Sequence, residues 1–128
     1  MKKLLLLSGL ILGACNTLES TEVATHQGTS YVIKVSEYDE GMGRSSDIFI
    51  NDKLAMAIKP TAMLLRNDPY CEKTASNPIT IVCTYIGEYD QTELKIVKIT
   101  KSSLLALSVN YEVYLNGQLL EVVNTQNK

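Results

Sequence analysis

Apolar and polar residues alternate with a period of two along most of the chain after residue 30. Tyr31, Ile33 and Val35 would share one face of a strand. The same spacing recurs in two further segments, which carry Ile79, Ile81, Cys83 and Tyr85 and then Leu105, Leu107, Val109, Tyr111, Val113 and Leu115. Because successive side chains of a β-strand point to opposite faces, this pattern predicts half-buried strands.

The segment 111–122 predicts a β-hairpin. Asn116-Gly117 separates two apolar runs, and both residue types tolerate the positive φ of a tight two-residue turn. An unbroken ladder from that turn gives two buried pairs and one solvated pair. These are Val113 with Leu120, Tyr111 with Val122, and Glu112 with Glu121.

The segment 47–58 has the same form, with Asn51-Asp52 at its turn. The two hairpins align at an offset of 65, since Asn51 then matches Asn116. The tripeptide Glu37-Tyr38-Asp39 also recurs as Glu88-Tyr89-Asp90. Either an internal duplication or the general similarity of half-buried hairpins explains these matches. With no long helical pattern, the chain is predicted to be all-β, a small antiparallel sandwich or barrel of about six to eight strands.

The first fifteen residues have the layout of a secretory signal. Lys2 and Lys3 precede an apolar run that starts at Leu4, and small residues stand just before Cys15. The eleven residues 4–14 are too few for a transmembrane helix, which needs about twenty.

Leu12-Gly13-Ala14-Cys15 resembles the lipobox of bacterial lipoproteins. The resemblance implies that residues 1–14 are cleaved, that Cys15 is acylated, and that the lipid holds the protein on a membrane. In this class an Asp directly after the cysteine usually retains the protein at the inner membrane. Because Asn16 stands there, the resemblance implies the outer membrane. The alternative is an ordinary cleaved signal that leaves Cys15 as a free thiol.

Size and charge limit what the mature chain can do. Removal of 14 residues from 128 leaves 114, which is enough for one domain, and the loss of Lys2 and Lys3 changes the formal charge from -2 to -4. An acidic balance disfavours nucleic acid as a partner. Residues 15–29 are rich in Ser, Thr, Asn and Glu and are interpreted as a flexible tether, so that the β domain spans 30–128.

Cys71 and Cys83 remain as an even pair in an exported protein. Export compartments oxidise thiols, so we predict one structural disulfide between them. Their spacing does not fit a C-x-x-C redox centre, and no histidine lies close enough in sequence to indicate a zinc site.

Catalytic chemistry has little support in the sequence. The single histidine, His26, falls in the predicted tether, and neither a G-x-S-x-G motif nor a phosphate-binding glycine loop is present. A pair of carboxylates for glycoside chemistry remains an alternative. We therefore predict that the protein is not an enzyme and has no catalytic residue, cofactor or metal site. The acidic segment 37–47 departs from the EF-hand spacing and is interpreted as a solvated loop.

Two surface features bear on binding. Lys95, Lys98 and Lys101 form a basic run, which fits either an anionic partner or edge-strand lysines that block aggregation. Seven tyrosines against one phenylalanine are more suggestive, because tyrosine is enriched in interfaces. The candidates most expected to be exposed are Tyr38, Tyr89 and Tyr114. The alternative is an ordinary rim of sheet tyrosines.

Two functions fit these features. The first is a non-catalytic binding or accessory component of the cell envelope, whose partners are the membrane, through the lipid, and an unidentified envelope protein. The second is an inhibitor or exclusion factor that blocks a lysozyme-like enzyme or a phage protein.

Overall fold

The computed structural model describes residues 17–40, 43–59, 70–74 and 78–125. These residues form nine β-strands and no helix. The strands are β1 (Thr17–His26), β2 (Thr29–Glu40), β3 (Gly43–Ile50), β4 (Lys53–Ile58), β5 (Cys71–Thr74), β6 (Ile79–Tyr89), β7 (Thr92–Ser102), β8 (Leu107–Leu115) and β9 (Gln118–Asn124).

The strands make two antiparallel sheets, in the orders β1-β2-β3-β4 and β5-β6-β7-β8-β9. The sheets face each other as a sandwich, with β1 beside β9 along one seam and β4 beside β6 along the other. The predicted all-β class is confirmed. So is the disulfide, because Cys71 and Cys83 are direct cross-strand partners with a Cα–Cα distance of 4.0 Å and an S–S distance of 1.99 Å.

Four two-residue turns lie together at one end of the sandwich, here called the turn end. Both residues of each turn have positive φ, as a type I′ turn requires. The turns are Gln27-Gly28, Asn51-Asp52, Asp90-Gln91 and Asn116-Gly117. The turns of both sheets lie at the same end, as shown by the hydrogen bond of 3.4 Å from the Tyr89 hydroxyl to the Ile50 carbonyl. The opposite end, here called the open end, holds Thr17 and the β7–β8 connection.

The apolar core fills the half of the sandwich nearest the turn end. Each sheet contributes inward-facing aliphatic side chains that are almost completely buried. The first sheet supplies Ile33, Val35, Ile48 and Ile50, and the second supplies Leu94, Ile96, Val113 and Leu115. Burial of a side chain of this size stabilises the fold by about 1.5–3 kcal/mol, so each of these eight residues contributes substantially to stability.

The prediction of a flexible tether over residues 15–29 is wrong from Thr17 onward. β1 pairs with β2 in an unbroken register from Thr17 opposite Tyr38 to His26 opposite Thr29. The segment lacks apolar alternation because only Ala24 is buried. The backbone ladder and the Gln27-Gly28 turn hold the strand instead, so composition did not reveal it. With β1 included, the strand count rises to nine.

The predicted register of the last hairpin is also wrong beyond its first two pairs. Leu115 pairs with Gln118 and Tyr114 with Leu119, but Val113 then pairs with Glu121. Leu120 is therefore the extra residue of a β-bulge. As a result Val123 is buried, while Val122 is 40% exposed. The predicted solvated pair of Glu112 with Glu121 does not form, because Glu112 pairs with Val122.

Two further interpretations need correction. The segment 37–47 is mostly strand, since β2 continues to Glu40 and β3 begins at Gly43. Glu37 in particular is only 4% exposed. The lysine run lies on β7, which is the central strand of its sheet, so these lysines do not protect a sheet edge.

Candidate functional site

An open groove of about 250 Å³ lies in the seam between β4 and β6. Its walls combine short aliphatic side chains, two aromatic rings and strand backbone. The lining residues are Ala55, Met56, Ala57, Ile58, Tyr70, Tyr85, Ile86 and Gly87. Concave surfaces lined by apolar and aromatic side chains are the usual form of binding sites, so this groove is the candidate site.

Strand topology explains why the groove forms here. β5 pairs with β6 only from Thr74 opposite Thr80 to Cys71 opposite Cys83. Beyond Cys83, β6 has β7 on one side and the groove on the other. β4 is the last strand of its own sheet. The groove therefore runs between the margins of two sheets.

The disulfide places an aromatic pair at the groove. Tyr70 directly precedes Cys71, and its carbonyl accepts a hydrogen bond from the Thr84 amide at 2.9 Å. The rings of Tyr70 and Tyr85 lie 5.7 Å apart between centroids, at an interplanar angle of 30°. The Tyr85 hydroxyl also contacts the Cys71 sulfur at 4.0 Å. Tyr70 remains 61% exposed, so one of the two rings is presented to solvent.

A second cluster is polar and buried between the sheets. The Tyr111 hydroxyl donates to the Glu37 carboxylate and contacts the Ser46 hydroxyl oxygen at 2.6 Å. Since the Tyr111 proton is directed at Glu37, Ser46 is the donor in the second contact. Tyr111 and Ser46 are fully buried. This network joins β2 and β3 of one sheet to β8 of the other.

Charge and burial fix the protonation of this cluster. Burial, together with the neighbouring Glu37, raises the pKa of Tyr111 above its ordinary value. Tyr111 is therefore a protonated donor at neutral pH. Lys98 lies with its ammonium nitrogen 5.7 Å from the centroid of the Tyr111 ring, and burial lowers its pKa while Glu37 opposes that effect. A protonated tyrosine shut between two sheets acts as a cross-link and not as a nucleophile.

The three candidate binding tyrosines are not brought together. Tyr38 is half-buried near the start of β1, as the partner of Thr17. Tyr89 lies at the turn end, where the Lys53 ammonium is 5.6 Å from its ring centroid. Tyr114 is on the outer face of β8 and donates to Glu112 at 2.8 Å, a hydrogen bond that raises the pKa of Tyr114. All three are half-buried and not exposed as predicted, and they do not form one surface.

The sequence pattern predicts only part of the arrangement of these site residues. The alternation of Tyr31, Ile33 and Val35, if continued, places Glu37 on the inner face and so indicates a buried acid. Tyr70 and Tyr85 carry no comparable signal, because their contact depends on how β5 meets β6. Cys15 lies outside the described residues.

Within the described ranges, no three His, Cys, Asp or Glu residues are grouped so as to hold a metal ion. The same ranges contain no helix long and apolar enough to cross a membrane. Comparison of the chain with known protein families, with curated proteins and with solved structures finds no match.

Proposed function

We propose that this chain is a lipoprotein of the bacterial cell envelope, anchored to the outer membrane through Cys15, and that it binds an envelope protein without catalysing a reaction. The order Lys2-Lys3, apolar run, Leu12-Gly13-Ala14-Cys15 supports the anchor. The Cys71–Cys83 disulfide supports an oxidising compartment. Asn16 after the cysteine supports the outer membrane, and the acidic balance speaks against nucleic acid.

The groove between β4 and β6 is the observation that carries the binding role. It offers an aromatic pair, of which Tyr70 is 61% exposed, beside the aliphatic side chains of β4. Tyrosine combines a rigid apolar ring with a polar tip, so it gains contact area at a low entropic cost when a partner covers it. Because the disulfide holds the residue next to Tyr70, the ring is already positioned before binding.

The test uses the full chain expressed in a bacterial envelope with a photoreactive amino acid at Tyr70. We expect Tyr70 to cross-link to one envelope protein that also co-purifies with the chain. The matched control is the same amino acid at Val23, a residue of similar exposure (65%) on the other seam, which should not cross-link. Ala55→Leu, which narrows the groove, should remove the Tyr70 product.

The anchor is measured in the same preparations. Mass spectrometry should find an acylated Cys15 as the N-terminal residue, and Cys15→Ser should release the protein from membranes or leave the signal uncleaved. Normal processing and full membrane retention of Cys15→Ser would contradict the anchor. A Tyr70 cross-link that persists in Ala55→Leu would contradict binding of the partner in the groove. A monomer that instead binds an added lysozyme or phage tail protein would favour the inhibitor function.

A further inference from the structure

The connection between β7 and β8 carries the most exposed apolar side chains of the described residues. It is a tight reversal in which the Ser103 amide donates to the Ala106 carbonyl at 2.9 Å. Leu104 is 100% exposed and Leu105 is 95% exposed. Two apolar residues at the adjoining strand ends, Ile79 and Leu107, are 41% and 56% exposed. These four residues, Ile79, Leu104, Leu105 and Leu107, are here called the apolar tip.

The composition of the tip contrasts with that of the four turns at the turn end. The turns at the turn end carry only Gln, Gly, Asn and Asp, which suit positive φ and face water. Leu104 and Leu105 do not have positive φ, so a polar residue would fit the same backbone. Local folding therefore gives no reason for two leucines here. Leaving both in water is unfavourable unless something covers them.

The tip lies at the same end of the molecule as the start of β1. The Asn51 amide donates to the Val32 carbonyl, and the Asn116 amide donates to the Glu93 carbonyl. These equivalent hydrogen bonds place Val32 and Glu93 at the same distance from the turn end. Tyr38, the partner of Thr17, is six residues beyond Val32, whereas Leu104 is eleven residues beyond Glu93. At about 3.3 Å per residue, the tip extends up to roughly 15 Å past Thr17.

Cys15 is two residues before Thr17, and two residues extend a chain by at most about 7 Å. A lipid on Cys15 would therefore lie within about 7 Å of Thr17, which is at the open end. Because β1 begins at Thr17, there is no long tether to separate the domain from the membrane. The open end must then face the bilayer surface.

We propose that the apolar tip inserts among the acyl chains of the membrane that holds Cys15. This inference rests on the proposed lipid anchor. Apolar side chains entering the boundary between headgroups and acyl chains provide a second attachment. Lys101 is exposed on β7, close to the tip. Its aliphatic stem can pack beside the membrane-embedded leucines while its ammonium group binds lipid phosphates. The lipid gives affinity, and the tip fixes the orientation of the sandwich on the surface.

The test exploits the absence of tryptophan from the chain. Full-length lipidated Leu105→Trp is reconstituted into vesicles of phosphatidylethanolamine and phosphatidylglycerol, with brominated acyl chains as the quencher. Leu54→Trp is the matched control, since Leu54 is 51% exposed and lies near the turn end. We expect Leu105→Trp emission to shift to the blue and to be quenched at least threefold more than that of Leu54→Trp. Adding Leu104→Ser to Leu105→Trp should at least halve the quenching.

The outcomes separate the tip from the anchor. Equal, weak quenching at both positions with Cys15 acylated would overturn the insertion of the tip and leave the anchor intact. A blue shift of Leu105→Trp without bromine quenching would also overturn it, because it indicates a protein contact. An unmodified Cys15 would overturn the anchor. In that case, quenching of Leu105→Trp by added vesicles would still support lipid affinity of the tip, and its absence would overturn it.

Discussion

The β3–β4 and β8–β9 hairpins have the same architecture at an offset of 65 residues. Each turns through two residues of positive φ, Asn51-Asp52 and Asn116-Gly117. Each ladder then makes two regular pairs before a bulge shifts the register. The bulged residues, Ala55 and Leu120, are themselves 65 residues apart. A shared bulge position is a more specific likeness than a shared turn, because a bulge shifts the register at one particular residue.

The likeness extends to the strand before each hairpin. The Lys34 ammonium lies 4.8 Å from the centroid of the Phe49 ring, and the Lys95 ammonium lies 4.6 Å from that of Tyr114. Both lysines occupy the same place relative to their hairpins. The strand order and turn positions of β1–β4 thus recur in β6–β9, and β5 has no counterpart among the described strands of the first sheet.

The two seams show where the repeated units differ. β1 contacts β9 along one seam, and there the bulged residue Leu120 is only 7% exposed. β4 meets β6 along the other seam, and there the bulged residue Ala55 lines the groove. The bulged residue is thus a leucine at the closed seam and an alanine at the open groove. The margins of the two sheets form the groove, and Ala55 contributes a small side chain to its wall.

The largest expected effect comes from opening the closed seam. Leu120→Ala removes a buried side chain and should lower the free energy of unfolding by about 2–5 kcal/mol, measured by urea denaturation with the disulfide intact. The matched change is Ala55→Leu, which adds volume where there is space and should change stability by no more than about 1.5 kcal/mol. If Ala55→Leu is as damaging as Leu120→Ala, the groove is not open space at position 55, and the contrast between the seams fails.

A smaller effect is expected where the two units meet. Ser46 and Tyr111 are 65 residues apart, and their hydroxyl groups contact each other at 2.6 Å. Tyr111→Phe leaves buried Glu37 without this donor and should cost about 1–3 kcal/mol of stability. Ser46→Ala removes one neutral hydrogen bond and should cost about 0.5–1.5 kcal/mol. The reverse order would show that Glu37 does not depend on Tyr111.

The pH dependence gives a second measure of the same contact. The pKa of Tyr111 is raised in the folded state, so the stability that this raised pKa contributes is fully present below the ordinary tyrosine pKa of about 10. Above pH 10 the unfolded chain releases this proton and the folded chain keeps it, so stability falls by up to about 1.4 kcal/mol per pH unit. Tyr111→Phe should remove this part of the decline, and Ser46→Ala should retain it. Equal slopes in all three proteins would contradict the raised pKa.

Local patterns predicted the parts of this fold that are set within one hairpin. Alternation identified β2, β6 and β8 but not β7, and Asn116-Gly117 identified its turn. Leu105 and Leu107, predicted to lie on a half-buried face, are 95% and 56% exposed. The bulge was missed although Leu119-Leu120 and Val122-Val123 break the alternation, which is the trace that an extra residue leaves. β1 was missed because pairing with β2, and not an apolar face, holds it. The groove could not be predicted, because it depends on how the margins of two sheets meet.

The smallest expected effect lies in the turns of the two equivalent hairpins. Their second residues differ, since Asp52 has φ of 66° and Gly117 has φ of 81°. Gly117→Ala forces a Cβ into the left-handed region and should cost about 1 kcal/mol. Asp52→Gly removes the same strain but adds flexibility to the unfolded chain, so it should change stability by less than about 1 kcal/mol. Thermal melting of both variants and of the double variant tests this. The two turns belong to separate hairpins, so the changes in unfolding free energy of the single variants should sum to that of the double variant. A large departure from that sum would show that the two hairpins are coupled through the core.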